Sequence, residues 1–123
     1  MPSAFIIDPD ITSNKLATIL LQADGWRVVS MTTAKNALTA LAALDLDLIV
    51  TELVFDDSDG LELIAQLRAT QATRHIPIMV VTAANEPGTE YRARAAGCIH
   101  YLRKPIDVAT FASELTAALR SHP

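Results

Sequence analysis

The sequence predicts a doubly wound α/β domain, a five-stranded parallel sheet with five helices shared between its two faces. Three observations carry that expectation. Short apolar runs alternate strictly with longer amphipathic segments, five of each. Several of the runs are apolar at consecutive positions, as in strands covered on both faces. Each strand is joined to the next through a helical segment, which makes the strands parallel and the crossovers right-handed.

The elements follow in order. Ala4-Phe5-Ile6-Ile7 is a compact buried strand that stops at Asp8-Pro9-Asp10. Leu16, Ile19, Leu20 and Ala23 recur at helical spacing, and Gly25 stops that helix. Arg27-Val28-Val29-Ser30 is the second strand, opened by Trp26, whose expected role is packing. Thr33 is placed to cap a helix carrying Ala37, Leu38, Leu41 and Leu44 on one face. Leu48-Ile49-Val50 is the third strand. Asp59 caps a helix that opens at Gly60, with Leu61, Ile64 and Leu67 inward.

Pro77 precedes the fourth strand, Ile78-Met79-Val80-Val81-Thr82. A weaker helix covers about 86–96 and stops at Gly97. Pro87 suits its first turn, but Gly88 inside a helix costs about 1 kcal/mol relative to Ala, so a short or mobile start is expected. Cys98-Ile99-His100-Tyr101-Leu102 is the fifth strand. After Lys104-Pro105 a last helix shows Val108, Phe111, Leu115, Ala118 and Leu119. That helix runs almost to Pro123, so the expectation is one domain over 1–123 with no output domain.

Composition excludes several classes. The net charge is −4 and the ten Lys and Arg form no run, which disfavours direct grip on nucleic acid. No run approaches the roughly 20 apolar residues of a membrane helix, and the start "MPSAFIIDPD" carries no cationic leader, so a cytoplasmic location is expected. Cys98 is the single cysteine and reads as a small core residue; no internal disulfide can form. The four glycines are dispersed, so no phosphate-cradling loop is present. His75, His100 and His122 lack metal-ligand spacing and are expected at the surface. The "DDSDG" loop reads as a turn rather than a calcium loop.

In an open parallel sheet, sites form outside the carboxyl ends of the strands. Strand one ends in Asp8, strand three in Glu52, strand four in Thr82, and strand five runs into Lys104. Two carboxylates, a hydroxyl and an ammonium should converge on one rim.

Those residues bring the chain to a family. "FIIDPD", "DLIVTEL", "DGLELI", "VVTAA" and "AAGCIHYLRKP", in that order and spacing, resemble the receiver domain of two-component response regulators, over essentially the whole chain. The resemblance implies the flavodoxin-like (βα)5 fold and a place in phosphorelay signal transduction. In that family a strand-three Asp accepts a phosphoryl group from a partner's phosphohistidine. Two acids after strand one help hold Mg²⁺, and a Thr or Ser and a Lys contact the phosphoryl oxygens. An aromatic residue three positions before the Lys changes rotamer with phosphorylation. By position, Asp8 matches the first acid, Thr82 the hydroxyl, Lys104 the ammonium and Tyr101 the switch aromatic. The Val54 backbone carbonyl matches the family's main-chain metal ligand, and the usual partner surface is the face around Tyr101.

Two positions depart from the pattern at the chemistry: the acceptor position is Glu52 and the second acid is Pro9. Asp56 also stands where a Pro is usual. Glu is one methylene longer than Asp, and a misplacement of about 1 Å can cost about 10²-fold in rate. Pro9 offers no side-chain oxygen and no N–H. No cofactor is therefore expected. Any residual Mg²⁺ binding, through Asp8, Glu52 and the Val54 carbonyl with Asp10 as a further candidate, should be weak. Asp10 is better placed to start the first helix.

The longer Glu52 can instead reach toward Thr82 and Lys104 and satisfy the ammonium without metal or phosphate. The leading expectation is an atypical, phosphorylation-independent protein-interaction module, not an enzyme. It would meet a histidine kinase or a downstream signalling protein through the face around Tyr101, without touching nucleic acid or membrane. The rival is an active, self-phosphorylating receiver that uses Mg²⁺ and is modified on Glu52, Asp56 or Asp57. An unrelated small enzyme on the same sheet is disfavoured, because no nucleophile–base pair appears.

Overall fold

A computed structural model describes residues 1–122. Its elements alternate as β1 (Ser3–Ile7), α1 (Ile11–Ala23), β2 (Arg27–Met31), α2 (Ala37–Ala42), β3 (Leu48–Thr51), α3 (Gly60–Ala69), β4 (Ile78–Thr82), α4 (Thr89–Ala96), β5 (His100–Arg103) and α5 (Phe111–Ser121). The five strands form one parallel sheet in the order β2-β1-β3-β4-β5.

The inner strands β1, β3 and β4 are buried almost throughout because helices cover both faces. Alternate residues of each strand feed two separate cores. Phe5, Ile7, Ile49, Ile78, Val80 and Tyr101 pack with α2, α3 and α4. Ala4, Ile6, Leu48, Val50, Met79 and Val81 pack with α1 and α5, around Leu21, Trp26, Phe111 and Leu115. β2 is an edge strand and is mostly exposed.

Several helix details depart from the sequence reading. In α1 the buried face is Asn14, Ala17 and Leu21, while Ile19 is 60% exposed and Ala23 is exposed. Apolar spacing alone pointed one step round the helix, because the face that docks on β1 includes a polar residue. Asn14 is buried because its Nδ2 donates to the carbonyls of Asp8 (3.1 Å) and Met31 (3.0 Å), tying β1 to β2. Thr33 does not cap α2; the N-cap is Asn36, in the left-handed region at φ 68 with no side-chain capping bond. α2 ends before Leu44, which is exposed.

In α3, Leu63 joins Ile64 and Leu67 in the core, whereas Leu61 is half-buried. Asp59 caps the helix by accepting from the Leu61 N–H at 2.9 Å. Gly60 is needed there, because an added Cβ would run into the backbone of Leu53. α4 starts three residues later than the periodicity suggests, at Thr89, and Gly88 is its N-cap at φ 82 rather than an interior residue. Pro87 therefore lies in the loop before it. β5 begins at His100, so Cys98 sits buried in the turn just before the strand. Val108 is 61% exposed and precedes α5, which opens at Phe111. His75 and His122 are exposed, but His100 is half-buried on β5 and its Nε2 is shut from solvent without a hydrogen-bond partner.

Candidate functional site at the carboxyl ends of the strands

The strand register builds the site. Ile7 pairs with Thr51, so the next residues, Asp8 and Glu52, leave neighbouring strands side by side. The Glu52 N–H donates to the Ile7 carbonyl at 2.9 Å. Thr82 pairs with Arg103, and the Lys104 N–H donates to the Thr82 carbonyl at 2.8 Å. Lys104 leads into Pro105 through a cis peptide bond.

The four side chains meet as the strand ends required. The Lys104 ammonium lies 2.9 Å from Asp8 Oδ2 and 3.2 Å from Glu52 Oε1. Asp8 and Glu52 are 5% and 4% exposed, so the pair of anions and the cation form a nearly enclosed triad. Charges this buried persist only when paired and hydrogen-bonded. Glu52 is satisfied further by main chain: Oε2 accepts from the Leu53 N–H at 2.6 Å and Oε1 from the Ala83 N–H at 3.2 Å. The second of these ties β3 to the loop after β4. Asp8 Oδ1 accepts from the Asp10 N–H at 2.9 Å. The Thr82 hydroxyl accepts from the Ala84 N–H at 3.0 Å.

The protonation preferences follow. Burial pushes the Glu52 carboxyl up, but the Thr82 hydroxyl, the two main-chain N–H groups and Lys104 outweigh it, and Glu52 is held below the ordinary carboxylate range. For Asp8 burial wins over Lys104 and the Asp10 N–H, with Glu52 adding repulsion, so its carboxyl is raised. Burial pulls the Lys104 ammonium down, yet its two carboxylates more than compensate and raise it.

The remaining candidates separate from this triad. Asp10 accepts from the Thr12 N–H (3.1 Å) and the Ser13 hydroxyl (3.0 Å), as a helix cap does. Val54 is exposed in the β3–α3 loop and forms a bridge with Asp59. Asp56 and Asp57 are exposed on the same loop. Tyr101 points inward: it is 8% exposed, packs with the α3/α4 core, and lines a cleft of about 520 Å³ with residues 84–91, Arg94 and Arg103. Burial raises its phenol. Sequence reasoning missed the main-chain N–H groups of Leu53 and Ala83, which hold Glu52 alongside Lys104. No side-chain signal marks a backbone donor. It also missed Asn14, whose clue was a polar residue on an otherwise apolar helix face.

Residues 4–116 match the profile of the response regulator receiver domain. The chain belongs to that family. Among curated relatives, this receiver domain is 31% identical over 117 residues to the polar-differentiation response regulator DivK of Brucella ovis, covering 95% of each chain. It is also 31% identical over 122 residues to the KDP operon transcriptional regulatory protein KdpE of Escherichia coli, covering 99% of this chain and 53% of that protein. The chain thus spans about half the length of the second relative and nearly all of the first. Its fold matches a two-component response regulator from Clostridium difficile, with a TM-score of 0.88 at 26% identity, over 98% of this receiver domain and 97% of that chain. A CheY-like receiver domain protein from Methanospirillum hungatei gives a TM-score of 0.89 at 18% identity, over 98% and 95%. No helix of the described residues is long and apolar enough to cross a membrane.

Proposed function

We propose that this receiver domain signals through protein contacts without accepting a phosphoryl group, Glu52 standing in the acceptor position. One observation carries the reading: the Lys104 ammonium sits between Asp8 and Glu52, so the site's charges are already matched from within. Glu52 also takes the Ala83 N–H, a donor at the head of the β4–α4 loop, and so holds that loop as a fixed part of the site. Tyr101 is turned into the core beside it.

The residues do not fit the Mg²⁺ that the family uses. An ammonium occupies the position between the two carboxylates, and Pro9 brings no side-chain oxygen. Among the described residues no group of three or more His, Cys, Asp or Glu could hold a metal ion. Mg²⁺ demands near-octahedral oxygen ligation, which this set does not offer. A cofactor-free protein-interaction module in the cytoplasm, meeting a kinase or a downstream protein through the face around Tyr101, is the reading these features support.

The test is direct. The protein is incubated with Mg²⁺ and a small acyl phosphate donor, and its intact mass is measured. The expected result is no added phosphoryl group, with the Glu52→Asp, Pro9→Asp double variant acquiring one. A stoichiometric adduct on the wild-type chain at Glu52, Asp56 or Asp57 overturns the reading in favour of an active receiver.

A further inference from the structure

α4 forms one wall of the cleft beside Tyr101, and its own side chains reach neighbouring main chain through Thr89, on the Glu86 carbonyl (2.8 Å), and Arg94, on the Ile99 carbonyl (3.1 Å). Of its eight residues, Thr89 and Ala93 are buried, and its N-cap, Gly88, makes no side-chain capping bond. The C-terminal end is held from outside as well. Arg68, in the last turn of α3, donates from Nε (3.0 Å) and Nη2 (2.8 Å) to the carbonyl of Gly97, the C-cap of α4. Its Nη1 donates to the carbonyls of Arg74 (3.0 Å) and Ile76 (2.6 Å), in the loop that enters β4. Among the described residues no carboxylate lies within ion-pair distance of this guanidinium. It is spent wholly on three main-chain oxygens, one at a helix C-terminus where a cation is favoured. Gly97 is shaped to it: φ is +131, and an added Cβ would come within 2.5 Å of Arg68 Cγ.

The geometry points to Arg68 as the pivot of α4: a positioning residue that clasps the C-terminal end of the helix to α3 and β4. The N-terminal end answers instead to the loop that Glu52 holds through Ala83. The helix is thus tethered at two points, one at the acid site and one at Gly97. A change at Glu52 would swing α4 about Gly97 rather than free it. The clasp itself stands on the contacts above; its consequence for partner binding rests on the reading of the Tyr101 face given under the proposed function.

The buried thiol of Cys98, the residue after Gly97 and the only cysteine, is a built-in reporter of the clasp. Its modification by an aromatic disulfide reagent is followed under native conditions, together with amide hydrogen exchange. Arg68→Gln is expected to speed thiol modification roughly tenfold or more, the scale of a lost charge-assisted hydrogen bond. Exchange should quicken at residues 94–98 while β1 and β3 amides keep their rates. Arg68→Lys retains charge and stem but not the planar fork, and should resemble the Gln variant; it also carries the test if the Gln variant does not fold. Glu52→Ala should quicken exchange at residues 83–90 and leave the thiol at its wild-type rate. The inference is overturned by a thiol as slow in Arg68→Gln as in wild type, by equal acceleration of β1 and β3, by Arg68→Lys behaving as wild type, or by Glu52→Ala exposing the thiol. None of these readings depends on phosphoryl acceptance, so failure here and failure of the proposed function are told apart.

Discussion

Lys104 and Arg68 are two sheltered cations that solve the same problem in different ways. Lys104 lies between two buried carboxylates, and its ammonium is raised above the ordinary value. Arg68 meets three carbonyls and no carboxylate, and burial lowers its guanidinium. A compact ammonium taken out of water needs a full opposite charge, whereas a planar guanidinium can be satisfied by dipoles spread along its fork and stays charged regardless. The difference assigns them different work. The Lys104 cluster is an electrostatic unit whose members shift one another's protonation, and the Arg68 cluster is a mechanical one whose guanidinium stays charged across the working pH range.

The largest expected effect comes from breaking the first cluster. Lys104→Met leaves Asp8 and Glu52 buried beside each other without a cation, which should cost about 3–5 kcal/mol at neutral pH in urea unfolding. A loss under about 1 kcal/mol would mean that the main-chain donors alone support both carboxylates. Arg68→Gln should cost about 1.5–3 kcal/mol, the range for hydrogen bonds to a charged group, and the loss should be the same at pH 5 and pH 8 within roughly 0.5 kcal/mol. Glu52→Gln should cost about 1–2 kcal/mol, because Asp8 still holds Lys104 and the amide oxygen still accepts one N–H. A gain in stability would instead show that crowding two carboxylates outweighs the ion pair.

The pH dependence sharpens the contrast further. Glu52 lies below its ordinary 4.5, so its contribution is present above that value and is lost as pH falls through the depressed folded value. Asp8 lies above its ordinary 3.8 and works in the opposite sense, its contribution being present below 3.8 and lost as pH rises through the raised folded value. The two partly cancel on the acid side. Lys104 lies above its ordinary 10.5, so its contribution is present below that value and lost as pH climbs through the folded one. Urea midpoints measured against pH should therefore show an alkaline decline beginning above 10.5 in the wild type and in Arg68→Gln. That decline should be weakened in Lys104→Met. The same decline in all three proteins would show that other groups govern it.

Most of the fold was legible because its signals are local. Consecutive apolar residues in Phe5-Ile6-Ile7, Ile49-Val50 and Met79-Val80-Val81 mark strands buried on both faces, and the carboxyl-end rule then gathers Asp8, Glu52, Thr82 and Lys104 on one rim. Where local signals were weak the reading slipped. Thr33 looked like a cap for α2, and Asn36 at φ 68 took the position without one. Val108 fitted the apolar stripe of α5 but lies before the helix, exposed. Gly88 was read as an interior defect of α4 and is its N-cap.

The sequence by itself determined the order of strands and helices along the chain and the identity of the four groups at their carboxyl ends. These follow from side-chain type and spacing, which need no partner. Only the tertiary structure decided that Lys104 bridges both carboxylates, that Glu52 reaches the Ala83 N–H, and that Arg68 spends its guanidinium on Gly97, Arg74 and Ile76. The Lys104 bridge, the Glu52–Ala83 bond and the Arg68–Gly97 clasp join residues far apart in the chain, the last two through main-chain groups that every sequence carries and none advertises. Their pairing is set by strand register and helix docking, which exist only once the whole sheet is assembled.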